Sequence, residues 1–172
     1  MLDLNSPIIE VWSEKGTVRG VLKPILDKYG VGFRVLHGFG SATTLNEIAN
    51  TPHDDLQALY VGDWDPSGLY MSERDLPERL KRYGGYHVQL ERIALAKEDV
   101  RRGTELPSFS ADDKRGDRRY RWFVENYGRR CWELDASRTP TPTVGPDPVV
   151  VPRSSRKRLW TDRWQRTRHR RA

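Results

Sequence analysis

Cysteine occurs once in the 172 residues, as Cys131, so no internal disulfide can form. The four histidines, at 37, 53, 87 and 169, show no ligand spacing, and no Cys/His cluster has the spacing of a zinc finger. No run of about 18 apolar residues exists, which excludes a membrane-spanning helix. The opening Met1-Leu2-Asp3-Leu4-Asn5 has neither the basic nor the apolar region of a secretory signal, and a reduced, cytoplasmic setting is expected.

What is present is a chain with 36% hydrophobic and 31% charged residues, within the range of a folded globular domain. Its net charge of +6 is unevenly placed. Residues 137–172 hold ten of the thirty basic residues and two of the twenty-four acids, a local excess of +8, whereas 1–136 carries −2. Five prolines and a Thr-Pro-Thr-Pro-Thr run oppose regular structure in that segment. The expected organisation is an α/β domain over 1–136 and a disordered Arg/Pro-rich basic tail over 137–172.

Within 1–136, β-rich runs alternate with helical periodicity. Ile8 to Trp12, Phe33 to Leu36, Gln57 to Val61 and His87 to Ile93 read as strands. Val18, Val21, Leu22, Ile25, Leu26 and Tyr29 recur at helical spacing, with Pro24 predicting a kink or a late helix start. Ser41 is placed to cap a helix through Ala49, and another helix is expected from Asp65-Pro66 to about Arg82. Tyr120 to Tyr127 reads as a short helix, and Arg130 to Leu134 as a last strand or a docking segment. Strands separated by helices every 20 to 30 residues predict βαβ units and a mostly parallel central sheet flanked by helices.

Ligands of open parallel sheets bind beyond the carboxyl ends of the strands. Glu14 lies two residues past the first of these runs, and Asp63 and Asp65 lie just past the third. An i, i+2 pair on extended backbone points to one side. Three hard carboxylates suit Mg2+, which keeps several waters and completes its shell with substrate phosphate. Helix capping explains an Asp-x-Asp at a strand end as well. Lys15 and Gly38-x-Gly40 are candidate phosphate contacts, the latter also a plain tight turn. In the run Lys114 to Trp122, the cations Lys114, Arg115, Arg118 and Arg119 mix with aromatics as on nucleic-acid surfaces, or form a solvated face. His37 and Cys131 read as structural.

Glu14-Lys15, His37-Gly38-Phe39-Gly40-Ser41-Ala42-Thr43 and Gly62-Asp63-Trp64-Asp65-Pro66-Ser67-Gly68 together resemble three successive blocks of a Toprim domain. The closest version is that of the topoisomerase VI A subunit and the meiotic double-strand-break protein. The resemblance covers residues 8 to about 100, with Trp64 standing where the family has a small residue. It implies a Toprim-like α/β fold, with Glu14, Asp63 and Asp65 as catalytic and metal-binding residues holding Mg2+ (or Mn2+) near a scissile DNA phosphate. The family's nucleophilic tyrosine sits on a preceding winged-helix domain, and seven residues precede the first strand here. Tyr60, Tyr70, Tyr83 and Tyr86 match no such motif. The expectation is therefore an incomplete DNA-cleaving unit whose partner subunit supplies the tyrosine, or a hydrolase using metal-activated water. The alternative is a non-catalytic nucleic-acid-binding protein, or a degenerate fragment, whose basic tail gives affinity.

Overall fold

A computed structural model describes residues 8–36, 42–51, 55–101 and 106–134. The chain divides at Leu134/Asp135, and every described residue belongs to the first unit. His37, Gly38, Gly40, Ser41 and the 137–172 tail lie outside the described residues.

The first four strands are β1 (Ile8–Ser13), β2 (Gly32–Val35), β3 (Leu56–Val61) and β4 (Val88–Ala94), in one sheet of order β2-β1-β3-β4. All three pairings are parallel, with Trp12 opposite both Arg34 and Tyr60, and Tyr60 opposite Arg92. The expectation of a mostly parallel sheet flanked by helices holds. With the right-handed crossovers that parallel βαβ units adopt, this order puts α1 (Val18–Tyr29) on one face, and α2 (Ala42–Asn50) with the helical stretch after β3 on the other. On that second face Leu45, Ile48, Met71, Leu76 and Leu80 pack on Trp12, Leu36, Leu56, Ala58 and Tyr60 in one buried cluster.

Helix α1 runs unbroken across Pro24 from Val18, against the expectation of a late start. Pro24 has no N–H for the Gly20 carbonyl, but both residues are exposed, so that carbonyl is left on the solvent side. After β3, α3 (Pro66–Tyr70) passes through a π-helical turn, Met71–Asp75, into α4 (Leu76–Arg82). The single expected helix is thus interrupted. Pro77 bars an ordinary α-turn at this point, and the Leu76 N–H reaches back to the Met71 carbonyl instead.

Beyond β4 come α5 (Lys97–Arg101), β5 (Ser108–Ser110), a 3-10 turn at Ala111–Lys114, α6 (Tyr120–Tyr127) and β6 (Arg130–Trp132). β5 and β6 pair antiparallel. Phe123, Ala111 and Cys131 are fully buried with Trp64, Leu69 and Leu95 in a second core. Among the described residues no helix is long and apolar enough to cross a membrane.

Candidate acidic site at the sheet switch point

β1 connects outward to β2, whereas β3 connects in the opposite direction to β4. The loops leaving the carboxyl ends of β1 and β3 therefore diverge, and a crevice opens between these neighbouring strands. Glu14 leaves β1 at this crevice, and Asp63 and Asp65 leave β3. The structure thus brings the three sequence-predicted acids to one locus.

Asp63 and Asp65 have different surroundings. Asp65 is buried, at 3% exposure, and caps α3: its Oδ1 accepts from the Gly68 N–H at 2.7 Å. Its Oδ2 pairs with the Lys114 ammonium, which also stands 3.6 Å from Glu133. Asp63 Oδ1 accepts from the Leu134 N–H at 2.7 Å, and its Oδ2 pairs with Lys15 at 2.8 Å. Gly68 is required here because an added Cβ would lie 2.5 Å from the Asp63 carbonyl oxygen and 3.2 Å from Asp65 Oδ1. Gly62 is held to glycine by the buried Tyr60 ring, whose Cε1 would stand 2.7 Å from such a Cβ. The Gly62-to-Gly68 motif is therefore a steric requirement as well as a chemical one.

Trp64, between the two aspartates, points the other way into the second core. Its backbone N–H and carbonyl exchange 2.9 Å hydrogen bonds with Trp132, and its ring meets Tyr127 edge-on. The segment predicted as either a last strand or a docking segment is both: β6 pairs with β5 and pins the acidic loop.

Burial, then the neighbouring Asp65 and Asp63 charges, raise the Glu14 carboxyl above its ordinary value, with Arg119 and Lys15 opposing. Glu14 makes no hydrogen bond or ion pair among the described residues. Burial likewise raises Asp63, outweighing the Lys15 and Leu134 contacts that favour its charge. Burial works against the charge on Lys15 and Lys114, but their pairings with Asp63 and Asp65 hold both ammonium groups above their usual value. The site is a tight patch of three negative groups balanced by resident cations.

Two features were missed by sequence reasoning. Arg92 enters beneath the loop from β4 and donates to the carbonyls of Gly62 (2.9 Å), Asp63, Gly68 (3.0 Å) and Leu95 (2.7 Å), and to Ser72 Oγ (2.7 Å). Burial depresses its guanidinium below the usual value. The available signal was its alternation with Val88 and Leu90 on the core-facing side of β4. The Tyr60 hydroxyl is buried without a hydrogen-bond partner among the described residues. Burial first, and then the charges of Glu14, Asp63 and Asp65, raise its phenol pKa, against Arg92.

The remaining candidates divide, with Arg119 near enough to act on the Glu14 carboxyl. Arg115 pairs with Asp112 at 3.1 Å, and Arg119 with Asp117 at 3.1 Å while crossing the Tyr70 ring at 5.5 Å. Arg118 lies in the same basic stretch and is also engaged. Three of the four cations read as nucleic-acid contacts thus have carboxylate partners within the chain. Cys131 is a buried core residue, and burial pushes its thiol up to about 12.

Among the described residues no three His, Cys, Asp or Glu side chains form a group that could by itself hold a metal ion. Mg2+ does not need one, since one or two carboxylates with water and phosphate oxygens complete its shell. The donor chemistry fits it: hard carboxylate oxygens, those of Glu14 without a hydrogen bond or ion pair among the described residues, and a buried Tyr60 hydroxyl without a partner there that feels all three acids. Compared with known proteins, the chain matches no family model, no curated protein and no solved structure.

Proposed function

We propose that the chain is a Toprim-like, Mg2+-dependent DNA-processing domain of the topoisomerase VI A type that acts on phosphodiesters. The observation that carries this reading is the convergence of Glu14, Asp63 and Asp65 at the carboxyl ends of adjacent parallel strands, across the switch point. These three residues would hold the cation. Once bound, Mg2+ (or Mn2+) would supply charge stabilisation to a phosphodiester oxygen. The chain's own contribution is to fix the carboxylates: Asp65 through the Gly68 N–H, Asp63 through the Leu134 N–H, and the loop carbonyls through Arg92.

None of Tyr60, Tyr70, Tyr83 and Tyr86 stands ready as a nucleophile in this reading. Tyr60 is fully buried, and Tyr83 and Tyr86 precede β4, at the sheet edge opposite the acids. Tyr70 packs edge-on against Trp122. Strand cleavage through a covalent link would need a partner subunit's tyrosine, and hydrolysis would need an activated water.

The test is calorimetric titration of Mg2+ and Mn2+ into the full chain with a short DNA duplex, beside Asp63→Asn/Asp65→Asn. Saturable binding in the wild type alone supports the reading. Equal heats in both proteins sink it and leave the acids as caps and ion-pair partners. The second reading, a non-catalytic nucleic-acid-binding protein, is favoured by the +8 charge of residues 137–172. It predicts DNA binding that is indifferent to the aspartate variant, is lost on deleting 137–172, and falls on the order of a thousandfold between 50 and 200 mM salt.

A further inference from the structure

On both aspartates the division of oxygens is the same. One oxygen is fixed by a backbone N–H, from Leu134 or Gly68, and the other is held only by a lysine. A cation approaching Asp63 or Asp65 therefore meets a carboxylate whose one movable contact is an ammonium group. Neither lysine is enclosed, although the Lys114 ammonium also lies over the Phe109 ring at 5.2 Å. Lys15 and Lys114 have side chains 40% and 30% exposed, on long flexible stems, whereas the aspartates they hold are 14% and 5% exposed. Lys114 has a second acceptor within reach, Glu133 Oε1 at 3.6 Å, itself half exposed. Glu14, the third acid, has no such occupant.

We propose that Lys15 and Lys114 are resident counter-cations that occupy the metal-binding oxygens of Asp63 and Asp65 and are displaced from them when a divalent cation binds. This rests on the metal-site reading above. At the carboxylates an incoming 2+ ion takes the place of two ammonium charges, and the site as a whole becomes more positive by two. The freed ammonium groups then stand at the rim of the crevice, able to contact the phosphate that completes the cation's shell. The lysines thereby keep three repelling acids together when no cation is bound, and they couple cation entry to exposure of phosphate-binding charge.

The experiment uses the full wild-type chain, so no variant has to fold. Lysine acylation rates are read by mass spectrometry with and without Mg2+ and Mn2+, beside calorimetric titration of the same samples. Lys23, in an exposed 2.7 Å pair with Asp27 on α1, is the internal control. Labelling of Lys15 and Lys114 should rise severalfold with cation while Lys23 stays constant. Heats of binding with no change at either lysine would overturn the proposal and leave the metal reading intact; a change at one alone would overturn it for the other. In Lys15→Met and Lys114→Met, Mn2+ should bind on the order of three- to tenfold tighter, including where the wild type shows no binding. Equal or weaker binding in both variants counts against the proposal. Absence of binding in the wild type and both variants would remove the metal site itself.

Discussion

Replacing Arg92 by methionine keeps most of the aliphatic stem but removes the donors that hold five oxygen atoms in place. Four are backbone carbonyls, of Gly62, Asp63, Gly68 and Leu95, and three of these belong to the stretch that carries Asp63 and Asp65. A hydrogen bond to a charged group contributes about 1.5–3 kcal/mol, so simple addition would exceed the stability of most domains. Two effects reduce it. The guanidinium is itself buried against its preference for water, and some of the freed carbonyls would find water through the adjacent crevice. Leaving a buried acceptor without its donor costs about 1–3 kcal/mol, and with water reaching some of the five a net loss of about 3–5 kcal/mol is expected here. For a chain of this size that corresponds to a melting temperature lower by roughly 10 °C. Arg92→Lys should recover less than half, because one ammonium cannot span oxygens arrayed around a planar fork. The assay is thermal and urea unfolding followed by circular dichroism. A loss below about 1 kcal/mol for Arg92→Met would refute the reasoning, since it would mean that the carbonyl cluster needs no cation.

Gly68→Ala should destabilise by about 1–3 kcal/mol because its Cβ would strike the Asp63 carbonyl, while Gly20→Ala, which meets no atom within 4 Å inside α1, should stabilise by about 0.5–1 kcal/mol. Urea midpoints of the two variants check the contrast, and a shift of the same sign in both would contradict it. Asp65→Asn keeps a cap for the Gly68 N–H and should stay within about 1 kcal/mol of wild type, whereas Asp65→Ala should cost about 1–2 kcal/mol; both should lose cation binding by calorimetry. Glu14→Gln should stabilise the cation-free chain at neutral pH, since it removes a half-buried charge facing Asp65 and Asp63. The sign follows from the raised carboxyl: the native state holds its proton to higher pH than the unfolded chain does. Wild-type stability therefore falls as pH rises through the window above the ordinary glutamate value, and the Gln variant's advantage should vanish below that window. A variant advantage that grew on acidification would be incompatible with this.

The α/β alternation was legible because each element announces itself locally. Strand runs are apolar and β-branched, α1 keeps its periodicity through Pro24, and Gly30 closes it in the left-handed conformation, φ 62°. The acids were legible for a related reason, since strand ends are readable and parallel sheets bind ligands there. Three things were not. The π-turn at Met71–Asp75 depends on how Pro77 is accommodated, which periodicity does not encode. Lys114 looked like a phosphate contact within a basic run, and only the folded chain puts it on Asp65, 49 residues away. Arg92 was hidden because a charged residue in an edge strand ordinarily reads as solvent-facing.

The acidic site draws on residues well beyond β4. Lys114 reaches Asp65 from the 3-10 turn, the Leu134 N–H holds Asp63, and Trp132 pairs through its backbone with Trp64. Trp64, between the two aspartates, anchors the second core with Phe123, Cys131 and Tyr127. A small residue at 64 would leave β6 nothing to bury at the loop, and the backbone bridge to Trp132 would lose its packing support. Residues 106–134 and the Asp63-Trp64-Asp65 segment are therefore one packed unit. Residues 106–134 both close the second core and supply two of the four contacts that fix the aspartate oxygens, so whatever chemistry the acids perform is set by a part of the chain that the motif does not include.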